Sequence, residues 1–216
     1  DEIEPNALIR HILRSKVDLL WFGGIGTFIK SSFENNTEVG DRANDALRIN
    51  AKELNAKIIG EGANLAITQL GRIQFALNGG RLNTDSIDNA GGVNCSDHEV
   101  NIKILLNDAM RSGLLTLDDR NKLLLEMTDE ISKLVIRDNY LQTQALTHAE
   151  EQGFDHANHY ARLIQYLEKK GMLDRVLEKL PDEETMKERR LHKKGLTRPE
   201  LAVLIAHSKL TLTRTL

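Results

Sequence analysis

The sequence predicts an α/β fold, a small parallel sheet that gives way to helices alone, and three observations carry that expectation. Two short apolar segments, residues 17–22 and 57–60, run straight into glycines, as buried parallel strands do where they end at a sheet crest. Two glycine-rich turns, Gly60-Glu61-Gly62-Ala63-Asn64 and Asn89-Ala90-Gly91-Gly92-Val93, each deliver an asparagine. From about Asn107 onward, apolar residues recur only at helical spacing. Ligands of open α/β sheets bind at the crest, where an asparagine offers a donor and an acceptor to a carboxamide or a ribose hydroxyl. The same asparagines also suit plain turns that need left-handed geometry.

Taken in order, Leu8, Ile9, Ile12 and Leu13 follow Pro5 at helical spacing and predict a helix over residues 6–16. The first strand, residues 17–22, enters Gly23-Gly24-Ile25-Gly26-Thr27. A G-x-G-x-x-G phosphate fingerprint fails there, because Gly24 and Gly26 are followed by Ile29 at the third position. These glycines suit a close backbone approach to a ligand, or a simple turn. Residues 30–54 are polar, and Asp41, Arg42, Asn44 and Asp45 read as a solvated cluster. After the second strand, a helix over residues 68–77 ends at Gly79-Gly80, and residues 81–87 supply a third strand. Strand, helix and strand in that order imply a right-handed parallel crossover. Ser96-Asp97-His98-Glu99 matches a capping box and predicts a helix from Ser96 to about Met110. Its amino end would also suit a carboxylate.

The second half reads as helices throughout. Ser112-Gly113 is a break, and Thr116 caps a long helix whose stripe includes Leu124, Met127, Ile131, Leu134 and Val135. A helix from Phe154 turns Tyr160, Leu163, Ile164 and Leu167 inward and stops at Gly171. Residues 173–180 form a short helix closed by Pro181, residues 186–194 are basic, and Thr197-Arg198-Pro199-Glu200 is a second capping box. His156 and His159 have metal-compatible spacing but no third ligand, so no metal site is expected. Cys95 has no base beside it in sequence and reads as a buried small hydrophobe. The basic run, Lys187 to Lys194, reads as a solvated face.

A net charge of −3 and a pI near 6.2 give no global field that would draw nucleic acid or an anionic membrane. The single cysteine excludes an internal disulfide and fits a reducing compartment. No apolar run approaches the roughly 20 residues of a bilayer span. Beginning at Asp1 and ending in a run of helical character, the sequence reads as a piece of a longer chain.

Gly60-Glu61-Gly62-Ala63-Asn64 and Asn89-Ala90-Gly91-Gly92-Val93, with Ser96 and Glu99 after them, resemble the second half of the nucleotide-binding domain of glutamate dehydrogenases. The stretches 17–27, 40–45 and 95–101 are similar to the large, NAD-specific bacterial type. So are Arg137 to Gln144 and Leu196 to Ala202, so the resemblance covers most of the chain. It implies a partial Rossmann-like sheet, the second half of an NAD-binding domain over residues 1–106, and a C-terminal helical region over residues 107–216. It implies oxidation of L-glutamate to 2-oxoglutarate with NAD. Gly23, Gly24, Ile25, Asn64 and Asn89 would contact the cofactor, and Val93 and Ser96 the substrate. The family's catalytic lysines and aspartate, and its phosphate fingerprint, come ahead of these segments. No catalytic residue is therefore expected here, and the isolated piece is expected to be inactive. The usual Tyr-Phe pair is replaced by Asp97-His98. Expected partners are the substrate, the rest of the parent chain and further copies of the whole enzyme, in the cytoplasm. Judged on the residues alone, a non-catalytic α/β-plus-helical interaction module and another nucleotide-dependent enzyme stay open.

Overall fold

Pro5 opens the first helix, α1 (Pro5–Leu13), where Glu4 accepts hydrogen bonds from the Asn6 and Ala7 N–H groups. A fixed φ is harmless at a position whose N–H has no helical partner. There follow β1 (Leu19–Phe22), β2 (Ile29–Lys30), α2 (Asn36–Val39), β3 (Ile49–Asn50) and β4 (Ile58–Glu61). The helix α3 (Gln69–Leu77), capped by the Thr68 hydroxyl on the Gly71 N–H, leads to β5 (Arg81–Leu82) and the short α4 (Asp85–Asp88). The computed structural model describes residues 3–215.

Two parallel sheets result, ordered β1-β4-β5 and β2-β3. Leu19 stands opposite Ile58 and Phe22 opposite Glu61, while Ile58 also pairs with Arg81. Because side chains alternate along a strand, Phe22 and Ile59 are buried while Leu19, Trp21 and Ile58 are exposed. The buried face packs with Leu13, Ile29, Ile49, Ile67, Phe75 and Leu82.

Residues 30–54, read as polar, contain α2 and β3, and Ile49 in β3 is fully buried beside Ile29 in β2. A two-residue strand has no alternation to detect, which is why its pairing is invisible in sequence. Asn35 caps α2 in a full capping box with Glu38. Only Arg81–Leu82 of the expected third strand is extended, and Asp85–Asp88 is helical. Asn89 therefore follows a helical turn rather than a strand end.

The chain forms two compact units, one of residues up to Asp88 with those from Ala145, the other Asn89–Gln144. The second contains α5 (Ala90–Arg111), α6 (Leu117–Glu126) and the first part of α7 (Thr128–Glu151). Helix α5 starts six residues before Ser96, so Ser96 lies inside it and the expected capping box does not exist. Gly91 and Gly92 weaken a helix by about 1 kcal/mol each, yet propensity is a weak prior and the surrounding turns carry them. The boundary read between residues 106 and 107 falls within α5. Gly113, at φ 72°, ends this helix, and Thr116 caps α6 on the Asp119 N–H as expected. The single long helix expected next is divided at Met127.

In the first unit, the last turns of α7 join α8 (Ala157–Lys169), α9 (Glu183–Leu191) and α10 (Arg198–Thr215). Leu146, Ile164, Leu167, Met186, Leu201 and Leu204 form their core, with Ile87 added from α4. Ile164 and Leu167 are buried as their spacing required. Residues 175–179 are turns instead of the helix expected over 173–180: Asp174 accepts the Val176 and Leu177 N–H groups as a cap would, but the chain leaves helical geometry at Lys179, left-handed at φ 56°. Glu200 reaches back to the Thr197 N–H, as in a capping box, and also receives Arg189 at 2.7 and 3.0 Å. That pair takes Arg189 out of the solvated basic face. Arg198 donates to Asn83 at 2.6 Å and to Glu150 at 3.0 Å, fastening these helices to the end of β5.

Candidate functional site

Parallel strands put their carboxyl ends at the same edge. β1 leaves the sheet through Gly23, Gly24 and Ile25, and β4 leaves it through Gly62, Ala63 and Asn64. The Ala63 N–H donates to the Phe22 carbonyl at 3.0 Å, tying one turn to the other. Gly23, Gly24, Ile25 and Asn64 are all exposed, Ile25 at 91%. The structure thus gathers four of the predicted cofactor residues at one edge. A Cβ placed on Gly24 would meet nothing within 4 Å, so backbone there stays open to a ligand. Beside these turns the Trp21 indole lies across Gly60 and Gly62, and a Cβ on Gly62 would come within 2.5 Å of the ring. Glycine at both positions is what lets an aromatic plane lie flat on the strand.

Beneath the edge sits a buried ionic network. Arg72 donates to both oxygens of Glu61 at 2.6 and 2.8 Å, and lies 3.1 Å from Asp85. Burial pushes the Glu61 carboxyl up from its ordinary value, against the bonds and charge of Arg72. Two short parallel bonds are nonetheless the geometry of carboxylate with guanidinium. Asp88 accepts the Glu61 N–H at 2.9 Å, and Asp85 accepts the Leu65 N–H at 2.9 Å. On the other turn, the Thr27 N–H and the Asn44 amide both donate to Asp41, and these bonds hold its carboxyl below the usual aspartate range. The buried Arg48 donates to the Thr27 carbonyl and pairs with Asp45. Asp41, Asn44 and Asp45 are therefore the scaffold of the first turn, not a solvated cluster.

With Arg72 committed to carboxylates, the edge offers peptide groups, a side-chain amide and an aromatic face. That set suits neutral polar groups such as a carboxamide or ribose hydroxyls better than a phosphate. A cavity of about 690 Å³ opens at the opposite edge, lined by Lys52, Asn55, Ile58, Phe75 and Arg81, and contains none of the predicted site residues.

The remaining predicted residues belong to the second unit. Asn89 is the residue before α5, at φ −98° and ψ 3°, and its side chain does not cap the helix. Val93 and Ser96 follow four and seven positions later, which places all three along one helical stripe. Val93 is 58% exposed and Ser96 is exposed. Cys95 is exposed too, because α5 runs through it, so it is not the buried hydrophobe expected. His98 lies 4.0 Å from Asp138 of α7. His156 and His159 touch edge to face at 5.1 Å, and no group of three metal-ligating side chains occurs among the described residues.

Sequence reasoning missed Thr27, Leu65, Asp85 and Asp88. Asp85 and Asp88 lay in a segment read as strand; their spacing of three, which lets one helical turn present both, was the available signal.

A family profile described as bacterial NAD-glutamate dehydrogenase, catalytic domain, matches residues 1–149. An NAD-specific glutamate dehydrogenase of Halomonas elongata is 57% identical over 97% of the chain, and one of Pseudomonas aeruginosa 53% over all of it. That of Mycobacterium tuberculosis is 49% identical over 98%. In each case the chain spans only 13% of the relative's length.

Proposed function

Since this chain belongs to the bacterial NAD-glutamate dehydrogenase catalytic-domain family, we propose that it supplies part of the nicotinamide and substrate pocket of a much longer enzyme. The parent reaction would be L-glutamate, NAD and water to 2-oxoglutarate, ammonium and NADH. Bound NAD would supply the acceptor for a hydride from the substrate α-carbon. This chain's own residues orient. Asn64 would hold the nicotinamide ribose or carboxamide, with the peptide groups of Gly23, Gly24 and Ile25 beside it. Asn89 would contact the nicotinamide ribose or carboxamide, and Val93 and Ser96 would face the substrate side chain. Fixed amides cost no reorganisation when the ring arrives, so the cofactor binds without an ordering cost. No proton-transferring residue is proposed within these segments.

The observation that carries the reading is the shared edge: two glycine turns from adjacent parallel strands, one ending in an exposed asparagine. The exposed apolar residues of the second unit, including Val100, Ile104, Leu105 and Ile136, fit a surface that the rest of the parent chain covers. A cytoplasmic, homo-oligomeric enzyme is part of the same proposal. No helix among the described residues is long and apolar enough to cross a membrane.

Asn89→Ala in the full-length enzyme tests the reading. Weaker NADH binding and a lower turnover are expected. Unchanged affinity and turnover would favour a non-catalytic scaffold instead.

A further inference from the structure

Leu65 follows Asn64 with φ 62°, a left-handed conformation that a leucine adopts rarely. Its side chain is 65% exposed, so packing does not impose this shape. Its peptide groups do. The Leu65 N–H donates to Asp85 Oδ2 at 2.9 Å, and the Thr27 hydroxyl donates to the Leu65 carbonyl at 2.7 Å. Both anchors are fixed in turn. The other oxygen of Asp85 lies 3.1 Å from Arg72, which is itself bonded twice to Glu61. The Thr27 N–H donates to Asp41 at 2.8 Å and its carbonyl accepts from Arg48 at 2.8 Å. Strained backbone persists where its surroundings over-determine it, and such strain collects at ligand clamps.

We propose that Asp85 and Thr27 are positioning residues for Asn64: together they clamp the Leu65 backbone so that the neighbouring amide is presented to the cofactor in one geometry. The inference rests on the cofactor role proposed for Asn64. Without the clamp, Leu65 relaxes to an ordinary conformation, the backbone that carries the Asn64 amide shifts, and cofactor binding must restore it each time. In this role Asp85 and Thr27 act through the Leu65 backbone.

The test uses the full-length enzyme with Asn64→Ala, Asp85→Ala, Thr27→Val and the Asp85→Ala/Asn64→Ala double variant, reading KM for NAD and kcat separately. Asn64→Ala is expected to raise KM for NAD about tenfold, and either clamp variant several-fold with kcat little changed, the signature of lost uniform binding. Adding Asp85→Ala to Asn64→Ala should raise KM no further, since residues acting through one another are not additive. Should Asp85→Ala fail to fold, the nearly isosteric Thr27→Val, alone and combined with Asn64→Ala, gives the same comparison. The clamp is overturned if Asn64→Ala raises KM while the clamp variants do not, or if their effects multiply in full. If Asn64→Ala leaves KM unchanged, the role of Asn64 itself fails, and the clamp with it.

Discussion

Arg72 holds Glu61 through two parallel hydrogen bonds of 2.6 and 2.8 Å, with both side chains almost wholly out of water. The pair joins α3 to the last residue of β4 just before the chain turns toward Asn64. Removing one partner of a buried pair strands the other charge, at a cost of about 3–5 kcal/mol. Arg72→Met should therefore lower the stability of this chain by roughly that amount in urea unfolding. The double change Arg72→Met/Glu61→Met should cost clearly less, since the buried Glu61 charge is no longer stranded and only Asp85, which keeps the Leu65 N–H, loses a partner. Equal losses in the two variants would show that the pair acts only through its volume.

Trp21 is the sole tryptophan of the sequence and lies against Gly60 and Gly62. Gly60→Ala would drive a methyl group into the ring. Being half-exposed, the indole can swing away, so the stability loss should stay below the ~1–3 kcal/mol typical of core overpacking. The emission of Trp21 should shift to longer wavelength as the ring enters water. An unchanged spectrum would mean that the indole does not rest on the strand in solution.

Asp41 stands below the usual aspartate range because it accepts the Thr27 N–H and the Asn44 amide, with Arg48 nearby. A depressed folded-state pKa gives stability that is present above the unfolded value and is lost as pH falls through the folded one. The melting temperature should therefore decline on acidification below the ordinary aspartate range. Asp41→Asn should start lower at neutral pH and show a shallower acid decline. Parallel curves for the two proteins would remove Asp41 from the account.

Asp182 caps α9 by accepting the Thr185 N–H at 2.7 Å. Asp182→Ala should cost about 1 kcal/mol, the usual value for losing such a cap. A change within experimental error in thermal unfolding would mean that the α9 start is held by other contacts.

Much of this was legible in the chain, for reasons that differ by element. The strands at 19–22 and 58–61 announced themselves because a short apolar run ends in glycine, but they are not buried on both faces as read, since Leu19, Trp21 and Ile58 are exposed. The stripe of α8 was legible because Ile164 and Leu167 face one core. The shared edge of Gly23, Gly24, Ile25 and Asn64 followed once both strands were read as parallel. Asn89 and Ser96 misled for a common reason: Gly91-Gly92 and Ser-x-x-Glu are local signals, and α5 overrides both by starting at Ala90. The clamp on Leu65 was hidden because its parts, Thr27, Asp41, Asp85 and Arg72, are separated in sequence and meet only through the sheet. Nothing in a leucine codon position announces a positive φ.

In the proposed role, Asn64 and the Gly23–Ile25 backbone face the nicotinamide end of NAD. A structure of the full-length enzyme with NAD bound tests it most directly. An Asn64 side-chain atom is expected within about 3.2 Å of a polar atom of the nicotinamide riboside, with the Gly23-Gly24 turn beside it. NAD bound with this edge of the sheet covered by protein, and Asn64 out of its reach, would contradict it.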